Sequence, residues 1–359
     1  MADGIDILIH RALRRRRRTE SHDGSVSTIT RQPPVRHRVK RTVRGVIRAV
    51  TPAWVRREVR LVLAKRRVVA RYGGIARSPA PTLRYLMFDR ELDNFTYPIA
   101  NTAELSAFIA DVLGTDAATV NIYIDELATD SELATAIGSR LAGRSDRNPS
   151  MPFGRRLGWY AIARVRRPTL IVETGVHDGL GSTVLLRALQ RNAEEGSPGD
   201  LLSIDTRPEA GWLIPEILRG HHRVVVGDSK VQLPAAIGDR SVDVFIHDSD
   251  HAYAHEAAEF ELIGRRVSPG AVLISDNAHA TSAFADYCAR HGLGYRFWRE
   301  RPRGHFYPGA GIGVAVAGAS GAAPTESGVG REVAAADAAG QADSITASVN
   351  RSVRGSPVQ

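Results

Sequence analysis

Five short apolar runs, each ending in a carboxylate and each followed by a helix-patterned stretch, lie between residues 169 and 291. They are TLIVET (169–174), LLSIDT (201–206), HRVVVGD (222–228), VDVFIHD (242–248) and AVLISDN (271–277). Runs of this length, rich in Val, Ile and Leu and bounded by turn residues, are the pattern of strands buried on both faces. The stretches between them carry helical patterns: STVLLRALQRNA, then Val231, Leu233 and Ile237, then Tyr253, Ala257, Phe260 and Ile263 on one face, then 281–291. YRFWRE (295–300) and GIGVAVA (311–317) follow with no helix between them, so they are expected to pair as an antiparallel hairpin. The series predicts an α/β fold. It is a Rossmann-like, doubly wound, mostly parallel seven-stranded sheet with right-handed crossovers and an antiparallel C-terminal hairpin.

In such a sheet, ligands bind beyond the carboxyl ends of the strands. Those ends carry Glu173, Asp205, Asp228, Asp248 and the pair Asp276-Asn277. One or two of these have ordinary explanations as turns or helix starts; as a set on one rim they point to a site. The first turn, Glu173-Thr-Gly175-Val-His-Asp178-Gly179-Leu-Gly181-Ser182, is glycine-rich without being the dinucleotide pattern GxGxxG. Glycine there lets the backbone approach a ligand, and the following helix N-terminus favours negative groups. Asp205, about 30 residues on, is placed to accept hydrogen bonds from two ribose hydroxyls, a geometry that NAD enzymes use too.

The flanks differ in kind. The chain has 359 residues with 48 Lys and Arg against 39 Asp and Glu, but residues 1–80 hold 21 of the basic residues and only 5 acidic ones. Residues 1–80 are therefore expected to be a basic arm, partly disordered or amphipathic-helical. From Val39 onward Val43, Ile47, Val50, Val55, Val59 and Val62 recur at roughly helical spacing among arginines, a pattern that can lie on anionic lipid. Nucleic-acid binding is less supported, since Trp54 and Tyr72 are the arm's only Trp, Tyr or Phe residues for stacking bases. Residues 81–150 read as a helical cap, with a first helix capped by Asn101 or Thr102 and further helices over 117–128 and 131–143. Residues 318–359 are mostly Ala, Gly, Ser, Thr and Val, too little apolar surface to offset ordering entropy, and read as a disordered tail. The single cysteine, Cys288, excludes a disulfide scaffold and a cysteine-built zinc site. No apolar run approaches the ~20 residues that span a bilayer. Polar TESHDGS follows Arg14–Arg18 where a signal peptide needs its apolar core, so the expected location is cytoplasmic, with membrane association only at the inner surface.

The motifs E-T-G-V-x-D-G-x-G-S after the first strand, Asp205 ending the second, Gly227-Asp228-Ser229 ending the third and D-V-F-I-H-D-S-D-H ending the fourth resemble class I S-adenosylmethionine-dependent methyltransferases. Arg156-Leu-Gly-Trp159-Tyr160-Ala resembles the lead-in helix of that family. The nearest branch is the metal-dependent small-molecule O-methyltransferases, which act on catechols, macrolide sugars and aminocoumarins. The resemblance covers roughly residues 151–317, the expected methyltransferase domain. It implies that Glu173, Gly175 and Ser182, with Gly179 in the same turn, line the methionine part of S-adenosylmethionine. It further implies that Asp205 holds the ribose, that Asp228 and Ser229 lie near the adenine, and that Asp248, Asp276 and Asn277 bind a divalent cation, usually Mg²⁺. His251 resembles the general base of the sugar O-methyltransferases, with Asp250 a second candidate.

The chemistry is coherent with that assignment. A sulfonium methyl is already electrophilic, so the remaining task is to make an acceptor hydroxyl nucleophilic. A hard cation with oxygen ligands lowers the hydroxyl pKa, and a histidine near neutrality takes the proton. A turn at Asp276-Asn277 and a helix start at Asp248 are the plain structural alternative. HAYAH (251–255) lacks the glutamate of HExxH, which argues against a zinc protease. The expected function is O-methylation of a small polar molecule, including sugar-containing ones. The alternatives are a nucleic-acid methyltransferase using the arm, against which no [DN]-P-P-[YFW] motif is present, and a non-methylating relative resembling the cephalosporin-hydroxylase group or a binding protein. The expected partner is a small hydroxyl acceptor, and a homo-oligomer is left open.

Overall fold

The computed structural model describes residues 52–92 and 94–318. The sequence-derived arm up to residue 51 and the tail from residue 319 lie outside the described residues. Contacts divide the chain into two units, Met1–Leu61 and Val62–Gln359. In the first, the described part is the start of the helix Ala53–Arg71.

The second unit is built on a seven-stranded sheet. Its strands are β1 (Leu170–Thr174), β2 (Asp200–Asp205), β3 (His222–Val226), β4 (Val242–His247), β5 (Val267–Asp276), β6 (Arg296–Arg299) and β7 (Gly311–Val316), in the spatial order 3-2-1-4-5-7-6. The first five are parallel, and β7 runs antiparallel to both β5 and β6, as the hairpin reading requires. Alternation explains why these runs are apolar throughout. Ile171, Ile246 and Ile274 face one core, while Val172, Phe245 and Leu273 face the other, so both faces of each central strand are buried. β3 is the exception because it lies at the sheet edge. There Val224 and Val226 are exposed.

On one face pack the helices Thr102–Leu113, Ala117–Ala128, Ser131–Leu141, Arg156–Arg166 and Leu180–Glu194; on the other lie Ser229–Ile237, Tyr253–Ile263 and Ala283–Arg290. The cap helices start where side chains satisfy their free N–H groups. Asp116 accepts from Ala118 N and Thr119 N at 2.9 and 3.0 Å, and Asp130 accepts from Leu133 N at 2.8 Å. Asn101 does not cap as the sequence suggested. Its amide instead donates to Arg299 O (2.9 Å) and its oxygen accepts from Arg301 N (2.9 Å), joining the cap to the strand β6 exit. Tyr253, expected on the buried face of its helix, is exposed and donates to Asp286.

The packed unit also begins before residue 80. Val69 and Tyr85 bury Phe306 between the helix Ala53–Arg71 and the helix Pro79–Phe88, with Tyr72 and Phe95 against them. Residues 98–100 then run beside 301–303, through Ala100 N to Arg301 O and Arg303 N to Pro98 O, both 2.7 Å. Two segments 200 residues apart are thereby brought over the carboxyl rim of the sheet.

One ion pair ties the cap to the core. Arg187 is 1% exposed and donates twice to Asp130, at 2.7 and 3.1 Å, and once to Glu132. Asp130 is buried and Glu132 is largely in solvent. Arg187→Leu should therefore lower stability by about 3 kcal/mol, because Asp130 keeps a buried charge without its partner. Glu132→Ala should change it by less than about 1 kcal/mol, since an exposed pair contributes little. Urea unfolding of the two variants measures the contrast, and equal losses would be inconsistent with it.

Candidate active site

β1 and β4 are neighbours although two strands, β2 and β3, lie between them in sequence, and this reversal of winding opens a crevice above their carboxyl ends. Asp248 N donates to Thr174 O at 2.8 Å just beyond both strands. The backbones are so close there that a Cβ on Gly175 would stand 2.0 Å from Asp248 O, and Gly175 has φ +83°. Glycine is required at that position on both counts.

The glycine-rich turn is held from below. Glu173 is buried and accepts from Ser182 Oγ (2.5 Å) and Ser203 Oγ (2.9 Å). Burial raises its pKa to about 7, against the lowering effect of the two serines. Asp205 accepts from Val176 N and His177 N, both at 2.9 Å, and from Arg207 N at 2.8 Å. Its pKa is lowered, because these backbone donors outweigh the effect of burial. Thus Glu173, Gly175, Gly179, Ser182 and Asp205 form one continuous wall. Asp228 caps the helix Ser229–Ile237 by accepting from Lys230 N. Ser229 is turned inward: its hydroxyl donates to Glu259, a buried carboxylate that also contacts His247, His255, Thr174 and Ser249. That contact set holds Glu259 well below the usual carboxylate range despite its burial.

The ends of β4 and β5 carry the second half of the site. His251 Nε2 lies 3.0 Å from Asn277 Nδ2 and 3.7 Å from Asp248 Oδ1. With Asn277 Nδ2 donating, Nε2 accepts, which is the arrangement of a neutral ring that carries its proton on Nδ1. Burial lowers the His251 pKa from its ordinary value, with the neighbouring Asp276 charge opposing. Asn277 itself sits at φ +53°, a conformation asparagine tolerates better than most residues. Asp250, the second candidate base, is exposed and accepts from Ala252 N at the start of the next helix. It is not brought into this group.

Arginine 155, absent from the sequence-derived site, lies at its centre. Its Nε donates to Asp276 Oδ1 at 2.5 Å and its Nη2 to Asp276 Oδ2, a two-pronged pair. Nη1 donates to Glu300 Oε1 at 3.1 Å, and Nη2 stands 3.5 Å from Asn277 Oδ1. Asp276 and Glu300 are fully buried. Burial would raise the Asp276 pKa, but the Arg155 charge and hydrogen bonds hold it down at about 2. Asp248 is pushed the other way, by burial and by the Asp276 charge beside it. The donor set implied for Mg²⁺ does converge, but a guanidinium already holds both oxygens of its central carboxylate. Among the described residues no group of three His, Cys, Asp or Glu side chains is arranged to hold a metal ion. The residues as placed do not fit a divalent cation.

Above Arg155, Asp248 and Asn277 opens a cavity of about 260 Å³ walled by Tyr72, Phe95, Tyr97 and Tyr307. The Tyr307 ring lies 5.0 Å from Tyr72, 5.6 Å from Phe95 and 6.0 Å from Tyr97, centroid to centroid. Tyr307 falls in the segment 301–310 (RPRGHFYPGA) that the sequence, together with the cap, offers as pocket lining; no local signal marks the other three rings.

The strand order, the antiparallel seventh strand and the helices on both faces make this a Rossmann-like, doubly wound fold. Residues 172–278 match a family model described as a methyltransferase domain, and that segment carries both halves of the strand-end site. Over that segment the chain is similar to that family. It is similar to the solved O-methyltransferase TomG from Streptomyces achromogenes, involved in tomaymycin synthesis and determined in complex with S-adenosylmethionine. Identity is 19% over 55% of this chain and 95% of that one, with a TM-score of 0.41. It is also similar to an O-methyltransferase from Bacillus cereus in complex with S-adenosylhomocysteine (16%, 59% and 96%, TM-score 0.39) and to a methyltransferase from Geobacter sulfurreducens (19%, 55% and 96%, TM-score 0.39). No curated protein matches the chain.

Gly175→Ala tests the wall directly. The added methyl must displace the Asp248 carbonyl, so stability should drop by more than the ~1–2 kcal/mol of a left-handed alanine alone. Gly196→Ala, at φ +85° with nothing within 4 Å, should show only that smaller loss. Thermal melting of both variants provides the comparison.

Proposed function

We propose that the protein is an S-adenosylmethionine-dependent O-methyltransferase that methylates a hydroxyl of a small molecule held in the aromatic cavity, with His251 as the general base. One observation carries the reading. The neutral accepting nitrogen of His251 stands beside Asp248, whose backbone touches Gly175, so a base and the glycine-rich turn meet at one end of the cavity.

S-adenosylmethionine, when bound, supplies a methyl group already activated by its sulfonium charge. The wall of Glu173, Gly175, Ser182 and Asp205 would hold it. Glu173 offers its carboxyl group to the amino-acid part, and Asp205 offers acceptors to the ribose. The acceptor molecule enters the cavity between Tyr97 and Tyr307, which exclude water and orient it by ring contact. As its oxygen takes the methyl in line with the departing sulfur, its proton passes to His251 Nε2. Asn277 holds that ring in place until the acceptor hydroxyl replaces the amide as its partner. Asp276 neither accepts the proton nor touches the acceptor, because Arg155 occupies both its oxygens.

Calorimetry should show S-adenosylmethionine and S-adenosylhomocysteine binding and NAD failing to bind. Asp205→Ala should weaken the cofactor by roughly tenfold or more, the loss of about one charge-assisted hydrogen bond. Unchanged affinity in that variant would place the cofactor elsewhere. Labelled-methyl transfer from S-adenosylmethionine into small-molecule extracts, RNA and DNA then separates the substrate classes, and incorporation confined to nucleic acid would overturn the proposal.

The base assignment has its own signature. A buried neutral histidine loses function when protonated, and burial has lowered its pKa, so the acid limb of kcat should fall below the ordinary histidine value of about 6.5. His251→Ala should lower kcat by roughly 10²–10⁴ and abolish that limb while leaving cofactor affinity intact. The deficit should shrink at high pH, where solvent can take the proton. A variant that keeps the acid limb would assign the base to another group.

A further inference from the structure

We infer that Arg155 is a built-in cation: its guanidinium occupies the place among Asp248, Asp276 and Asn277 that the family resemblance assigns to a divalent metal, and the site works without one. The inference concerns the same site as the proposed methyl transfer, but it stands on the placement of Arg155 alone.

Three observations support it. The first is occupancy. With Nε at 2.5 Å from Asp276 Oδ1 and Nη2 on Oδ2, both oxygens are engaged in a planar fork, and Nη2 also points toward Asn277 Oδ1. A Mg²⁺ ion needs oxygens at about 2.0–2.1 Å in near-octahedral array, so it would overlap the guanidinium.

The second is that Arg155 has a dedicated counterweight on its other side. Glu300, fully buried, receives Arg155 Nη1 at 3.1 Å and Arg155 backbone N at 3.2 Å. Glu300 is itself fixed by Tyr97 OH at 2.5 Å and Ala310 N at 3.0 Å. Swinging Arg155 out to admit a metal would leave Glu300 as a buried carboxylate with no cation, a strongly unfavourable state. Arg155 is thus locked from both ends and is not a side chain resting in an empty metal site.

The third is charge. Arg155 pairs with both Asp276 and Glu300, so each of these buried carboxylates already has its counter-charge. A 2+ ion would find both oxygens of Asp276 taken by the guanidinium. Arg155 also lines the cavity floor.

The test is binding of Mn²⁺, followed by electron paramagnetic resonance, to the full chain after EDTA treatment, with and without S-adenosylmethionine. The expected result is no site tighter than on the order of 1 mM that Asp248→Asn removes. A stoichiometric Mn²⁺ site that Asp248→Asn abolishes would overturn the inference, whereas one indifferent to Asp248→Asn lies elsewhere and leaves it standing. Arg155→Ala frees the three oxygens and should create Mn²⁺ affinity at least tenfold above wild type; a folded variant that gains none would show that this is not a cation position. Should that variant fail to fold, the wild-type titration decides by itself. If methyl transfer is observed, it should persist in EDTA, and loss restored by Mg²⁺ would likewise overturn the inference. A chain that binds no Mn²⁺ and also transfers no methyl group would sink the proposed function while leaving the role of Arg155 intact.

Discussion

The site depends on a buried guanidinium between two carboxylates. Arg155 precedes the helix Arg156–Arg166, Asp276 ends β5, and Glu300 follows β6, so one side chain joins three elements that are distant in sequence. In a low-dielectric interior each of these charges is strongly disfavoured alone and tolerable only in the assembled set. Their mutual need fixes the end of β5, and with it the strained turn at Asn277 and the orientation of His251. It also seats Tyr97, whose hydroxyl donates to Glu300, in the cavity wall.

A second, independent constraint works at the neighbouring strand ends. Gly175 and Asp248 approach so closely that only a glycine fits, which places the turn after β1 against the end of β4. Below that contact the carboxylate of Glu259 gathers Thr174 from β1 and His247 from β4, and it reaches Ser229 at the start of the helix after β3. Buried polar groups of this kind are tolerable only when satisfied, and here they bind the strand ends into one rigid rim. The glycine-rich turn and His251 therefore have a fixed relation set by the sheet. The cavity wall, by contrast, comes from the segments around 72, 95–97 and 307, held to the core by backbone pairing and aromatic contacts.

Much of this was legible in the sequence because the signals are local. A five-residue apolar run between polar turns is a strand whatever surrounds it, and five in alternation with helices leave few topologies. The strand-end residues Glu173, Asp205, Asp248, Asp276 and Asn277 could be read as one rim for the same reason, since all parallel strands point their carboxyl ends the same way. Gly175 was identifiable from the turn motif. Asn101 stands at the N-cap position, but its side chain bonds Glu104 and the backbone about 200 residues away, and none of the helix's free N–H groups. Tyr253 was placed on a buried face by spacing alone, but it is exposed, with its hydroxyl on Asp286.

What the sequence determined by itself, then, is the alternation of elements and the set of polar groups on the rim, because both follow from periodicity and chain direction within a few residues. Only the tertiary structure decided which charges those groups meet. Arg155 stands 121 residues from Asp276 and 145 from Glu300, and in an arginine-rich chain nothing local distinguishes it from its neighbours. Whether three oxygens at the ends of two strands hold a metal ion or a guanidinium depends on what folds back over them, and the pairing that brings residue 155 there is made by packing, not by sequence proximity.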